Sequence, residues 1–188
     1  MIESLFKELG VKFNGFLRLN GFNALFRAAV GDVSIHDKSV EGGVEEELSD
    51  SILISLVSIE EDPVLKNNYP LQQVGASFLK QKSAIYINIY VLFAAKYKTY
   101  DVALEAISHV ISFFQSNKRF PFTVDGTEQE AVLSLHNIGF ENLNNLWTVL
   151  GGRYLPSVIY KARVLLFQAA PPVGGPAIVE IREKEPLV

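Results

Sequence analysis

Two long apolar runs constrain this chain more than any other feature. Residues 51–59 (SILISLVSI) are apolar or small at nearly every position, the pattern of a strand covered on both faces, and Glu60, Glu61, Asp62 and Pro63 end the run. Residues 84–95 (AIYINIYVLFAA) alternate instead. Ile85, Ile87, Ile89, Val91 and Phe93 fall on one side, and Tyr86, Asn88, Tyr90 and Leu92 on the other. Two central strands of this length require a sheet with layers on it. The second run, interrupted by Asn88, is shorter than the roughly 20 residues a bilayer-spanning helix needs, so no membrane insertion is expected.

The flanking sequence supplies those layers. Residues 2–19 carry apolar side chains mostly three and four apart, from Ile2, Leu5 and Phe6 to Phe16 and Leu17. This predicts an amphipathic helix that frays or breaks midway at Gly10, Asn14 and Gly15. Residues 24–35 are compatible with a strand, and the Asp37–Glu47 stretch reads as a polar loop. Thr99 is the expected N-cap of a helix running to about Gln115, with Ala103, Ala106, Ile107, Val110, Ile111 and Phe114 as its apolar stripe. Residues 120–124 and 131–138 read as extended segments joined through an Asp125-Gly126 turn. A short helix is expected from Asn142 to Leu150, closed by Gly151 and Gly152, followed by a strand over 157–168. The expected fold class is α+β: one layered domain over 1–169, with a mixed or antiparallel sheet packed against two or three helices. Residues 170–188 read as a Pro/Gly-rich linker and extended C-terminal tail with a short strand at Ile178–Ile181.

Composition narrows the function classes. A formal net charge of −4 provides no positive field for a phosphate backbone, so no nucleic-acid partner is expected. The absence of cysteine excludes disulfides, thiolate metal sites and Cys nucleophiles, and fits folding in a reducing cytoplasm. The first residues, with Glu3, Lys7 and Glu8, lack the basic start and apolar core of a secretory signal. A mean hydropathy of +0.19 is high for a soluble monomer of 188 residues and points to apolar surface facing partner subunits.

The search for reactive constellations yields none. His36, His109 and His136 stand apart from each other and from any His-x-x-x-His or Glu-x-x-His spacing, so no metal is expected, and each reads as a polar surface or satisfied core residue. No glycine pattern forms a phosphate-cradling loop, and no serine sits in a GxSxG elbow, so no cofactor and no catalytic residue are assigned. The Glu60-Glu61-Asp62 cluster cannot readily share one proton, because adjacent strand residues point to opposite faces.

Two segments carry a resemblance. Ser55–Asn67 (SLVSIEEDPVLKN) resembles the "SLvniEEe..lKN" strand-and-turn segment of the tail-terminator, or cap, family of extracellular contractile injection systems. The more specific Asn144–Arg163 (NNLWTVLGGRYLPSVIYKAR) is similar to that family's "NNLW..LG.kYlPSv.YkvR" signature almost throughout. Ile85–Ala95, followed by a helix ending in Ile111–Gln115, also looks like the family's central strand and helix, and the likeness covers roughly residues 1–168.

The resemblance implies a non-enzymatic structural protein: a homo-hexameric ring that ends the inner tube and attaches the last sheath ring. It would assemble in the cytoplasm and then belong to the injection particle. Its partners would be further copies of itself, the inner-tube protein and the sheath protein. Such a ring closes through a heterologous contact repeated by rotation. The candidate interface residues are Glu60, Glu61 and Lys66 from the first segment, and Trp147, Arg153 and Tyr154 from the second. Ile178, Val179 and Ile181 in the tail are placed to reach a neighbouring subunit or the sheath by strand addition. Trp147 carries two readings, a core aromatic anchoring its helix or an interface anchor. A small-molecule-binding or enzymatic α/β domain with an unmarked site, and an adaptor joining tube or baseplate parts, stay open as alternatives.

Overall fold

The computed structural model describes residues 1–22, 25–35, 50–62, 71–74, 77–80, 85–151, 154–166 and 173–176. The chain divides into two compact units, one of Met1–Glu60 with Ile87–Leu165, the other of Glu61–Tyr86 with Leu166–Val188. The elements in order are α1 (Ile2–Leu19), β1 (Ala28–Val30), β2 (Ser51–Glu61), β3 (Leu71–Val74), β4 (Ser77–Lys80), β5 (Ile85–Lys96), α2 (Tyr100–Ser116), β6 (Arg119–Val124), β7 (Thr127–His136), α3 (Phe140–Val149), β8 (Ser157–Leu166) and β9 (Val173–Pro176).

Six strands form a sheet in the order β1-β2-β5-β8-β7-β6. β1 runs parallel to β2, while β6 with β7 and β7 with β8 are antiparallel. The sheet is mixed and the fold α+β, as expected for strands joined partly by hairpins and partly across helices. β3, β4 and β9 form a separate antiparallel sheet in which Ser77 faces Pro176 and Lys80 faces Val173. Part of the segment read as a linker is therefore strand; the strand expected at Ile178–Ile181 lies outside the described residues.

β5 separates two cores as its alternation requires. Ile89, Val91, Phe93 and Ala95 belong to the core beneath α1 and α2, and Leu92 and Ala94 to the one beneath α3. On the first face Phe113 meets Phe13 of α1 at 5.2 Å between ring centres, and Phe114 meets Tyr160 of β8 at 4.4 Å. Burying side chains of this size contributes about 1.5–3 kcal/mol each before entropy is charged against it.

α1 does not break midway. Leu5, Leu9, Phe13 and Leu17, four apart, are all buried, and this stripe outweighs the roughly 1 kcal/mol that a helical glycine costs. Asn14, expected to weaken the helix, tethers β1 instead. Its Nδ2 donates to the Ala28 carbonyl at 2.9 Å, and its Oδ1 accepts the Ala28 N–H at 2.8 Å. The 24–35 segment yields only a three-residue strand. After Gly31 the chain leaves the sheet edge and forms a 3-10 turn at Val33–Ile35, and Val33 is buried in the α3-side core with Leu53, Leu92 and Trp147.

The β6–β7 hairpin closes through Asp125 and Gly126, both with positive φ (49° and 78°), the two-residue turn whose twist matches the strands. α3 ends at Leu150 and Gly151, and the φ of 100° at Gly151 is one that glycine adopts without strain.

Candidate protein-protein interface

β2 was expected to be covered on both faces, but its two halves differ. Ser51 to Ser55 are buried, whereas Leu56 and residues 58–61 are exposed, because β1 ends at the register pair Val30–Ile54 and takes its cover with it. Beside this step lies an open groove of about 630 Å³. Its apolar lining includes Ile2 and Phe6 of α1, Val30 of β1 and Leu56 of β2, with Glu3, Lys7 and Asp32 as the charged residues that line it. Glu3 is held by Lys7 one turn on, and that ammonium keeps its carboxyl below the usual carboxylate range. Sequence reasoning missed this groove.

Of the residues singled out in the sequence, Glu60 is exposed on β2 and its carboxylate accepts the Tyr90 hydroxyl at 3.0 Å. The Tyr90 ring in turn lies edge-on to His136 at 4.8 Å, which joins β2, β5 and β7 in one polar-aromatic row. Glu61 is exposed at the end of β2. Trp147 and Tyr154 come together at 5.7 Å in an edge-to-face pair, but on different terms: Trp147 is 4% exposed and Tyr154 is 58% exposed. The indole therefore packs in the α3-side core, with its Nε1 lacking a hydrogen-bond partner, and the phenol presents the pair to the outside. Lys66, Arg153, Ile178, Val179 and Ile181 lie outside the described residues, as does His36.

Further apolar surface appears where amphipathic patterning did not predict it. Phe140 (92% exposed) and Val149 (82%) stand at the two ends of α3, and Leu19 (89%) at the end of α1.

Among the described residues the arrangement offers no reactive centre. His109 was read as a surface or satisfied core histidine and is neither. It is buried against Phe22 (3.9 Å between ring centres) and Phe26 (4.8 Å), its Nε2 has no hydrogen-bond partner, and Glu105 stays 3.7 Å away. Burial pushes its pKa below 6.5, with Glu105 opposing, so the imidazole is held neutral as a packing element. Among the described residues, no three His, Asp or Glu side chains are grouped to hold a metal ion. No helix among them is long and apolar enough to cross a membrane.

Fold and surface together define an α+β module whose accessible features are an open sheet edge, a groove and exposed apolar helix ends. The Pvc16 N-terminal domain profile matches residues 19–180, and the chain belongs to that family. Two solved structures are similar. The anti-feeding prophage cap, a tube-terminating cap, shares 16% identity with a TM-score of 0.51 over 71% of this chain and 49% of its own. A sheath/tube terminator of an extracellular contractile injection system, in its extended state, shares 15% identity with a TM-score of 0.48 over 96% of this chain and 62% of its own. This chain thus spans about half the length of the first and under two thirds of the second. No curated protein sequence matches. The family match bears out the resemblance read from Ser55–Asn67 and Asn144–Arg163.

Proposed function

We propose that this protein is a structural cap of a contractile injection particle, forming a ring with copies of itself that ends the inner tube and attaches the last sheath ring. The observation that carries this reading is the family match across residues 19–180. The solved cap with the same fold supports it. A ring of six is the size implied by the resemblance. The role requires no catalytic group, and the particle places the protein outside the cell once released.

The test mixes the purified chain with its tube and sheath proteins, with light scattering for mass and negative-stain imaging for shape. Sixfold rings at one end of tubes of defined length are the expected result. A monomer that ignores tubes and sheaths at micromolar concentration would refute the cap.

A further inference from the structure

His109 is covered by one short stretch of chain. α1 closes at Gly21, whose positive φ of 68° lets its own N–H reach the Arg18 carbonyl (3.2 Å) and the Phe22 N–H the Leu17 carbonyl (3.1 Å). That turn brings Phe22 back over the helix end, where its ring lies 5.9 Å from Phe16 and 3.9 Å from the His109 imidazole. Phe26, two residues before β1, meets the same imidazole edge-to-face at 4.8 Å. Both rings on the imidazole thus come from the stretch that carries the chain from α1 into β1. The charged groups around the cluster leave His109 one opposing neighbour. On α2 itself Glu105, one turn earlier, holds Oε1 3.7 Å from Nε2, beyond hydrogen-bond reach, and its side chain is exposed. From the covering stretch and the end of β5 the titratable groups are Arg27 and Tyr97, which act on each other. Burial pushes the Tyr97 hydroxyl up to about 12, so it stays neutral, with Arg27 opposing and Asp50 adding to the rise. Asp50 is itself paired with Lys98 at 3.6 Å, and Arg18 in the last turn of α1 is exposed. Nε2 has no hydrogen-bond partner among the described residues. A proton on this ring places a charge under two apolar rings with a single exposed carboxylate to answer it.

Lifting the cover into water relieves that cost. We propose that His109 is an acid-sensitive latch on the connection between α1 and β1: neutral, its ring holds Phe22 and Phe26 down; protonated, it releases them, and the connection and the edge strand β1 loosen while the β6–β7 side of the sheet stays closed. β1 follows because only three residues pair it with β2, and its other hold, the Asn14 clamp, grips it at the single residue Ala28. The shift of the imidazole agrees in direction, since burial holds its pKa below 6.5 with Glu105 opposing. What the latch governs is whether β2 keeps its neighbour at Ile52–Ile54, the step beside which the groove lies. It is independent of the cap reading and stands or falls without it.

Amide hydrogen exchange on the full-length protein tests this, read by mass spectrometry at about pH 7.5 and about pH 5 with times corrected for the intrinsic rate at each pH. Peptides spanning residues 21–30 should exchange at least about threefold faster at the lower pH, because the open form takes up a proton that the closed form resists. Peptides of β6 and β7 should not change. His109→Leu, which cannot take up a proton, should abolish the difference. Glu105→Gln, at an exposed position, removes the one charge that favours the imidazolium in the closed form and should enlarge the difference. Equal protection of residues 21–30 at both pH values in the natural protein overturns the latch. So does stronger protection in acid, which would mean that the two phenyl faces hold the imidazolium in place. Acceleration of all strands alike, or a difference that survives His109→Leu, assigns the response to other groups and the latch is wrong. Should the His109→Leu chain fail to fold, Glu105→Gln decides: a difference no larger than in the natural protein overturns the proposal.

Discussion

The two edges of the six-stranded sheet are finished in opposite ways. At the β6 edge Pro121 has no N–H to offer, Lys12 of α1 donates to the Pro121 carbonyl at 2.8 Å, and the same ammonium sits 4.8 Å above the Phe120 ring. Phe120 and Phe122 are buried, so this edge is anchored along its length and closed to a further strand. The opposite edge is three residues long, paired with β2 on one side and held by Asn14 on the other, and ends where β2 still has half its length to run. For the cap proposed above, this asymmetry would blunt one edge against uncontrolled pairing and leave the other short.

The largest expected effect contrasts truncations at the two edges. Phe120→Ala, at 1% exposure among Phe113 and Phe114, should cost about 3–5 kcal/mol in urea unfolding, whereas Val30→Ala, half-exposed on β1, should stay within about 0.5 kcal/mol. Equal losses would dissolve the distinction between an anchored and a loosely held edge.

An intermediate effect is expected at the tether. Asn14→Ala leaves the Ala28 N–H and C=O without their partners in a nearly buried site and should cost about 1–3 kcal/mol. Hydrogen exchange sharpens the comparison further: the β1 amides should exchange faster while those of β6 are unchanged. Uniform acceleration across both edges would mean that Asn14 supports the whole helix rather than one strand.

The smallest effect at neutral pH belongs to His109, which packs against Phe22 and Phe26 on the segment leading into β1. Its folded pKa lies below 6.5, so as pH falls below that value the unfolded chain takes up a proton that the folded one refuses, and stability is lost until the folded pKa is reached. His109→Leu should therefore leave the melting temperature nearly unchanged at about pH 7.5 and flatten its decline toward about pH 5.5. An undiminished decline would assign that acid sensitivity to other groups.

Much of the fold was legible because local chemistry and tertiary packing agree there. Asp125 and Gly126 supply the two positive φ values of the hairpin turn, and the alternation of residues 85–95 sorts its side chains into the two cores. The stripe of α2 is buried at Ala103, Ala106, Val110 and Phe114 as expected, but His109 and Phe113 join it and Ile107 and Ile111 are only half-buried, because that helix packs against both the sheet and α1, and Phe113 reaches Phe13 and Phe16. α1 looked breakable from Gly10, Asn14 and Gly15 because propensity counts each residue alone, while the burial of Leu5, Leu9, Phe13 and Leu17 acts on the helix as a unit. The interface was legible only in part. The likeness at Asn144–Arg163 led to the Trp147–Tyr154 pair, but not to which ring would be exposed.

By itself the sequence determined the long helices, the central strands and the β6–β7 turn, since period and turn chemistry act within a few residues, but not β3, β4 or β9. It also gave the family, through residues 55–67 and 144–163. Only the tertiary structure decided where β2 loses its neighbour and where the groove forms. That site combines residues 2–6, 30–32 and 54–56, and no local pattern encodes which distant segments meet or where a strand ends against its partner.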